Sequence, residues 1–231
     1  MRPCVRGGAG GRPRRWRAAA LAVLGLAWLV VPGAAWAQGG GLELEARAGV
    51  VVSTPLVEGA VAFPVAPAGG GVQEFRVRPV AAPLVVVAGR TGLGPALALE
   101  VSAGWTFGRV EGEQRRERWH VGDVGIGHAV ASLRRRVGER FHVRGGVGLI
   151  HYGSDAELFE GSPGLTPLLE VGAGAELALG GARLSLSGVG QAHSFGSRAL
   201  RGGRGSGVRG EDGTVYRFAV QAGVVLGGGL R

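Results

Sequence analysis

His193 and Ser194 are the one adjacent pair in this sequence with the residue types that nucleophilic catalysis uses. A histidine activates a serine hydroxyl only when both side chains reach the same site. The pair lies in a segment of alternating hydrophobicity, and neighbouring residues of a β-strand point to opposite faces. We therefore interpret it as a polar feature at the end of a strand, and we expect no catalytic residues.

No metal or cofactor site is expected either. Four further histidines lie on separate segments without the spacing of a metal site; they are His120, His128, His142 and His151. The only cysteine, Cys4, lies near the N-terminus and leaves the rest of the chain without a thiol. The glycine-rich residues 122–127 superficially resemble a nucleotide-binding loop, but no helix pattern follows them to supply the phosphate cradle.

The first 37 residues have the pattern of a secretion signal. Six arginines and no acid precede an apolar run over residues 18–31, which is shorter than the roughly 20 residues of a membrane-spanning helix. Small residues at Ala35 and Ala37 are typical of a signal peptidase site. We predict cleavage after Ala37 and a single mature domain over residues 38–231, with an uncleaved N-terminal anchor as the alternative.

The composition of the remaining chain favours strands. Glycine supplies 47 of 231 residues without a Gly-X-Y period, and glycine weakens helix interiors. Hydrophobic residues make up 45% of the sequence, which suits a folded protein. The leader carries six of the arginines behind the net charge of +9, and no aromatic-rich basic stripe follows it. These features argue against nucleic-acid binding.

Apolar and polar residues alternate with a period of two in five segments, as expected for strands with one apolar face. These segments are residues 42–48, 97–107, 141–149, 169–179 and 216–226. Three less regular segments complete a set of eight strands, at residues 84–88, 119–133 and 184–195.

Irregularities in the last three segments predict local distortions. The apolar phase shifts around residues 122–123 and around Gly188, which predicts a β-bulge at each place because an extra residue reverses the facing. The strand at 84–88 could begin as early as Phe75, with Pro79 and Pro83 at bulge or edge positions.

Long and short connections alternate along the chain, so they fall at opposite ends of the sheet. The long ones are residues 53–73, 110–117, 153–167 and 196–213, and the short ones are 90–95, 137–139 and 180–181. Aromatic residues gather at the long-loop end, as in an interfacial girdle; they are Trp105, Phe107, Trp119, Phe195, Tyr216 and Phe218.

The signal pattern, the alternating strands and the alternating connections resemble the small eight-stranded outer-membrane β-barrels of the OmpA-barrel and OmpX type, over essentially the whole mature chain. The resemblance implies an all-β, eight-stranded antiparallel up-and-down transmembrane barrel in the bacterial outer membrane, with turns in the periplasm. It further implies a monomer that contacts outer-membrane lipid and lipopolysaccharide and meets the barrel assembly machinery during biogenesis. Two alternatives remain: a lipid A deacylase-like enzyme and a soluble secreted β-sandwich binding protein.

An eight-stranded barrel is narrow enough for side chains to fill it, so we expect a plugged polar lumen. Its inward face carries charges of both signs, which should pair because unpaired buried charges are costly. They are Glu43, Glu45, Glu100, Glu170, Glu176, Arg47, Arg144, Arg183 and Arg217.

The last long loop is rich in glycine and arginine. Its arginines are Arg198, Arg201, Arg204 and Arg209. Because an arginine fork binds phosphate in two-pronged fashion, we expect contact with lipopolysaccharide phosphates. A solvated mobile loop is the alternative interpretation.

Overall fold

The computed structural model describes residues 41–62, 72–114, 117–154, 159, 164–179, 182–196, 208–210 and 213–226. The predicted signal peptide and three arginines of the last loop, at 198, 201 and 204, lie outside these residues. None of the described residues forms a helix long and apolar enough to span a membrane. The described strands are β1 (Glu43–Ser53), β2 (Val57–Ala62), β3 (Val72–Pro79), β4 (Ala82–Gly92), β5 (Leu97–Gln114), β6 (Glu117–Val137), β7 (Phe141–Gly153), β8 (Thr166–Leu179), β9 (Ala182–Phe195), β10 (Val208–Gly210) and β11 (Gly213–Leu226).

Eight of these strands close into an antiparallel ring. From β4 the ring runs through β5, β6, β7, β8 and β9 to β11, and β1 closes it by pairing with both β11 and β4. The eight predicted segments correspond one to one with the ring strands. The predicted fold class is therefore confirmed, and the β-sandwich alternative is excluded because a sandwich is two separate sheets.

Facing alternates along the ring strands as the sequence predicts. In β11, Val215 and Arg217 are buried while Tyr216 and Phe218 between them are exposed. The same alternation makes the outside of the ring apolar and brings most of the buried charged residues inside it.

Three connections at one end of the ring are short, and we call this end the turn end. Gly138, with a φ of 68°, permits the tight turn between β6 and β7. Leu179 and Ala182 pair directly where β8 meets β9. The connections from β1 to β4, from β7 to β8 and from β9 to β11 are longer and lie at the opposite, long-loop end, as predicted. The fourth predicted long connection, residues 110–117, is not a loop.

Beyond the long-loop end the sheet continues further than expected. Residues 110–117 were predicted to be a polar loop, but β5 and β6 run on until Gln114 pairs with Glu117. Strand β3 pairs with this part of β5, β2 pairs with β3, and β10 pairs with β2. We call this part the extension. The alternation of the ring is reversed here, since Val57, Val77 and Val110 are buried in the interior. Their charged neighbours, such as Arg76 and Arg78, lie on the opposite, outer face.

Only one of the two predicted bulges is present. The β5–β6 register shifts between Val110 and Glu111, whose partners Gly122 and His120 leave Val121 as the extra residue. The bulge predicted at Gly188 is wrong, because β9 keeps one register with both β8 and β11. The apolar Val189 that suggested it simply faces inward.

The predicted second strand is interrupted. Pro79 ends β3, and β4 begins at Ala82. Between them, the Val80 N–H donates to the Arg109 carbonyl at 2.8 Å, which holds the chain against β5. Pro83 lies near the start of β4, opposite Val50. The two prolines thus flank the transition from the extension to the ring.

Candidate functional site

The interior of the barrel is the candidate functional site, and its lining changes character along the axis. Towards the turn end lies a charged zone, made of Glu43, Glu45, Arg47, Arg90, Glu100, Arg134, Arg144, Glu170, Glu176 and Arg183. Towards the long-loop end lies an apolar zone, made of Leu56, Val57, Val77, Val110, Val124, Ile126, Val130, Ile150, Tyr152, Phe159, Leu168, Phe195 and Val215.

Glu100 lies at the centre of the charged zone, with its side chain 1% exposed. Its Oε1 accepts hydrogen bonds from Arg47 Nη2 at 2.7 Å and from Arg144 Nη1 at 2.8 Å. Its Oε2 lies 3.4 Å from Arg134 Nη1. Three guanidinium groups from β1, β7 and β6 thus converge on one carboxylate from β5, which ties together strands on different sides of the ring.

A second set of ion pairs lies closer to the turn end. Arg90 and Arg134 both donate to Glu176, and Arg183 Nη1 lies 3.3 Å from the Glu176 Oε2. Arg90 and Arg183 also donate to Glu43. The Glu176, Glu43 and Arg183 side chains are 14%, 21% and 23% exposed, compared with 1% for Glu100. The side chains of the charged zone therefore become less exposed to solvent from the turn end inward.

Sequence reasoning missed Arg90 and Arg134. The predicted strands stopped at residues 88 and 133, so both arginines fell just outside them. Each continues the inward phase of its own strand, since Arg134 follows the buried Ser132 by two residues and Arg90 follows the buried Ala88 by two. Extending each strand by two residues would have found them.

Arg144 and Arg217 were expected to play similar roles, but their surroundings differ. Arg144 also lies 3.2 Å from Glu170 through its Nε. Arg217, which is 1% exposed, donates instead to two neutral acceptors, Gln191 Oε1 at 3.1 Å and Thr106 Oγ1 at 3.2 Å. Among the described residues no carboxylate lies within ion-pairing distance of Arg217.

Arg217 reaches its nearest opposite charge through an amide. The Gln191 Nε2 donates to Glu170 at 2.8 Å, while its Oε1 accepts from Arg217. This Glu170–Gln191–Arg217 chain crosses β8, β9 and β11 and marks the boundary between the charged and apolar zones.

Glycine makes room for large polar side chains at this level. A Cβ atom on Gly104 would lie 2.3 Å from Cε1 of the buried His128 ring. Gly104 and His128 are cross-strand partners on β5 and β6. A larger residue at position 104 would therefore displace the imidazole.

Aromatic contacts organise the apolar zone. The Tyr152 ring lies 5.3 Å from Phe195 and 6.1 Å from Phe159, measured between centroids. The Tyr152 hydroxyl is hydrogen-bonded to His193 Nε2 at 2.9 Å. Phe195, predicted for the outer girdle, is 3% exposed and lies inside the barrel, so that assignment is wrong.

The other predicted girdle residues do not all lie on the outer face. Phe107, Tyr216 and Phe218 are exposed on the outer face towards the long-loop end, and Trp105 packs beside Phe107 at 5.7 Å. Trp119 instead lies over Gly112 in the extension. Gly112 shares the face of the inward-pointing Val110 two residues earlier, so the assignment of Trp119 to the outer girdle is also wrong.

The candidate pair of His193 and Ser194 is not arranged for nucleophilic catalysis. His193 is buried and faces inward, whereas Ser194 is exposed and faces outward, so the two cannot share a substrate. No group of three or more potential metal ligands occurs in the described part of the chain. Arg209 lies in β10, whose pairing with β2 makes it part of the extension rather than of a free loop.

Comparison with known proteins is informative at the level of the fold. No family model matches the sequence, and no curated protein matches it. The solved structure of Neisserial surface protein A (NspA) aligns with a TM-score of 0.51 at 11% identity, covering 81% of this chain and 98% of that one. The outer membrane protein OprG from Pseudomonas aeruginosa aligns with a TM-score of 0.48 at 11% identity, covering 80% and 96%. Ail, the attachment invasion locus protein of Yersinia pestis, aligns with a TM-score of 0.43 at 12% identity, covering 81% and 99%. The likeness to the Neisserial protein shows that this chain has the fold of the small eight-stranded outer-membrane β-barrels, as its sequence predicted.

Proposed function

We propose that the chain is an integral β-barrel protein of the bacterial outer membrane with a plugged interior, and that its role is structural or lies in surface interaction. The observation that carries this proposal is the outer surface of the ring. Large apolar side chains are exposed on every ring strand. In water such a surface would drive association, whereas in a bilayer it faces hydrocarbon.

The height of this apolar surface fits a membrane. On β11 the exposed residues Tyr216, Phe218, Val220, Val224 and Leu226 follow one another along the outer face. Ten residue steps at about 3.4 Å give roughly 34 Å along the strand. With the tilt of about 45° found in membrane barrels, this projects to about 25 Å, the height of their apolar band.

The filled interior supports a structural role over diffusion. Charged side chains are paired across the turn-end half, and packed apolar side chains occupy the long-loop half. A water-filled channel would leave such side chains in contact with solvent, whereas Glu100, Ile126 and Ile150 are at most 2% exposed. The protein therefore shares the β-barrel architecture of porins but not their water-filled channel.

The orientation follows from the two ends. Short turns face the periplasm in outer-membrane barrels, so the extension and the 196–213 segment would project outside the cell. We propose that the arginines at 198, 201, 204 and 209 contact lipopolysaccharide phosphates there. The protein would be a monomer that needs the barrel assembly machinery for insertion.

A lipid A deacylase-like enzyme is less well supported. Such an enzyme would need its serine and histidine on one face, and His193 and Ser194 face opposite sides of β9.

Membrane fractionation tests the proposed function. The chain expressed in a Gram-negative host should sediment with the outer membrane, and it should migrate faster on gels when it is not heated. Replacing outward-facing Val220 with Asp should reduce the folded band, because a charge would face hydrocarbon. The matched V215D variant places the charge inside the barrel and so reports a packing defect. Only the loss of folded protein in V220D should change with the thickness of the bilayer. Recovery of the folded parent chain in a soluble fraction would overturn the proposal.

A further inference from the structure

The outer surface near the turn end carries one charged residue in an apolar surrounding. Arg135 lies between Leu133 and Val137 on β6 and is paired with Leu97 on β5 and Val143 on β7. All four neighbours are exposed, and so is Arg135. In the turn-end half of the described ring strands, the other outward-facing positions hold uncharged residues.

Two further arginines lie on the same turn at fixed positions. The Arg136 N–H donates to the Ala96 carbonyl at 2.8 Å, and the Glu176 N–H donates to the Arg140 carbonyl at 2.8 Å. These bonds tie the turn around Gly138 to the neighbouring β-turn and to β8. Both arginine side chains are exposed. We call Arg135, Arg136 and Arg140 the turn cluster.

The turn cluster is available to an external anion. The ion pairs found in the described part of the chain employ Arg134, the neighbour that points inward, but none of the three turn-cluster residues. Arg134 is thus neutralised inside the barrel. Arg135 keeps its charge on the outer face, and Arg136, which continues the inward phase beside His142, is exposed at the turn-end rim. One exposed carboxylate, Glu139, lies on the same turn, which leaves the turn with an excess of positive charge.

We propose that the turn cluster binds the phosphate of anionic phospholipids in the leaflet at the turn end. This inference rests on the proposed membrane location. The ligand must be both anionic and apolar, because Arg135 shares the outer face with the exposed Leu133, Val137 and Phe141, while Arg136 and Arg140 are exposed at the adjoining rim. A phospholipid meets both demands, with its phosphate held by arginine forks and its acyl chains against the apolar surface.

Lipid-selective fluorescence quenching tests the proposal directly. In the full chain, the five tryptophans are replaced by Phe, and F141W places a single reporter opposite Val137. The variant is refolded into phosphatidylcholine vesicles containing a small fraction of brominated lipid. Brominated phosphatidylglycerol should quench the reporter with an apparent affinity at least about threefold higher than brominated phosphatidylcholine, a preference that salt reduces.

A matched pair of triple variants identifies the residues responsible. R135Q, R136Q and R140Q together should bring the two lipids to equal quenching. R76Q, R78Q and R118Q remove the same charge from the extension and should leave the preference intact. Equal quenching in the parent reporter chain, or a preference that survives loss of the turn cluster, would overturn the proposal. Absence of quenching by either brominated lipid would instead contradict the membrane location itself.

A second measurement avoids the tryptophan replacements, some of which could impair folding. The unaltered chain is exchanged into micelles containing equal amounts of phosphatidylglycerol and phosphatidylcholine, and retained lipids are counted by native mass spectrometry. Selective retention of phosphatidylglycerol that disappears in the turn-cluster variant supports the proposal. Equal retention of both lipids contradicts it.

Discussion

The charged zone and the apolar zone occupy the same barrel, but they are built on opposite principles. In the charged zone Glu100 is held by three arginines from three strands. In the apolar zone Tyr152, Phe159 and Phe195 pack ring against ring. On the proposed topology, the charged zone is surrounded by lipid, whereas much of the apolar zone lies under the extension, which water surrounds. The interior is thus charged where the surroundings are apolar, and apolar where the surroundings are aqueous.

This difference has energetic consequences. Apolar packing is non-directional. Truncating a buried apolar side chain therefore lowers the free energy of unfolding in proportion to the cavity that it leaves. A buried carboxylate depends on its partners, and removing one partner leaves a charge without compensation. We therefore expect mutations in the charged zone to be strongly coupled to one another and mutations in the apolar zone to be closer to additive.

The largest effect is expected from Arg144→Leu. This change removes one partner from Glu100 and the direct ion-pair partner of Glu170, and it should lower the free energy of unfolding by about 3 to 5 kcal/mol. Urea titration of the barrel refolded in micelles measures the loss. Adding Glu170→Leu should restore part of it, and strictly additive effects would show that the pair is not coupled. E58Q, in an exposed ion pair of the extension, serves as the control and should cost less than about 1 kcal/mol.

Phe195→Ala comes next. Its ring packs against Tyr152 and Phe159 inside the apolar zone, so its removal should cost about 3 kcal/mol. The same urea titration applies, with Phe218→Ala as the matched outward-facing control on the neighbouring strand. A loss no larger for F195A than for F218A in detergent would argue against an inner position of Phe195.

Tyr152→Phe probes the polar contact within the apolar zone. It removes the hydroxyl that is bonded to His193 while it keeps the ring. The unpaired imidazole should cost about 1 to 2 kcal/mol. H193L combined with Y152F should cost less than the sum of the two single changes, whereas full additivity would rule out the hydrogen bond as a contributor.

The smallest effect is expected from Arg217→Met. Arg217 has only neutral acceptors within hydrogen-bonding distance, so its removal breaks no direct ion pair. Replacement by an apolar side chain should therefore change the free energy of unfolding by less than about 1 kcal/mol. The contrast with Arg144→Leu is the test. Equal losses in the two variants would mean that Glu170 compensates Arg217 through Gln191 as effectively as by direct contact.

The sequence predicts the ring because each ring strand presents an apolar face on the outside, and that face produces the alternation. The charged residues of the interior are found by the same phase, apart from Arg90 and Arg134, which lie beyond the predicted strand ends. Both belong to the ion pairs nearest the turn end. Their omission shows that strand ends are harder to place than strands.

The apolar zone and the extension are less accessible to sequence reasoning. Assigning every apolar face to the outside placed Phe195 in the girdle, although it lies beside Tyr152 in the interior. The same assumption produced the bulge predicted at Gly188. In the extension, ion pairs such as Arg78–Glu113 at 3.7 Å lie on the outer face. The apolar residues Val77 and Val110 point inward instead. The assignment of apolar faces to the outside holds for the ring strands and fails in the extension.

The seam between β1 and β11 constrains the order of folding. These strands come from opposite ends of the described chain and pair from Leu44–Leu226 to Ser53–Arg217. Such contacts between distant residues are slow to form, and the ring cannot close until β11 has been synthesised. Until then Glu43 and Glu45 lack Arg183 and Ser185, their partners from β9 across the seam. Closure of the ring is therefore a late step in folding. The contacts of these two carboxylates with β9 form only when β11 has joined β1 to β9.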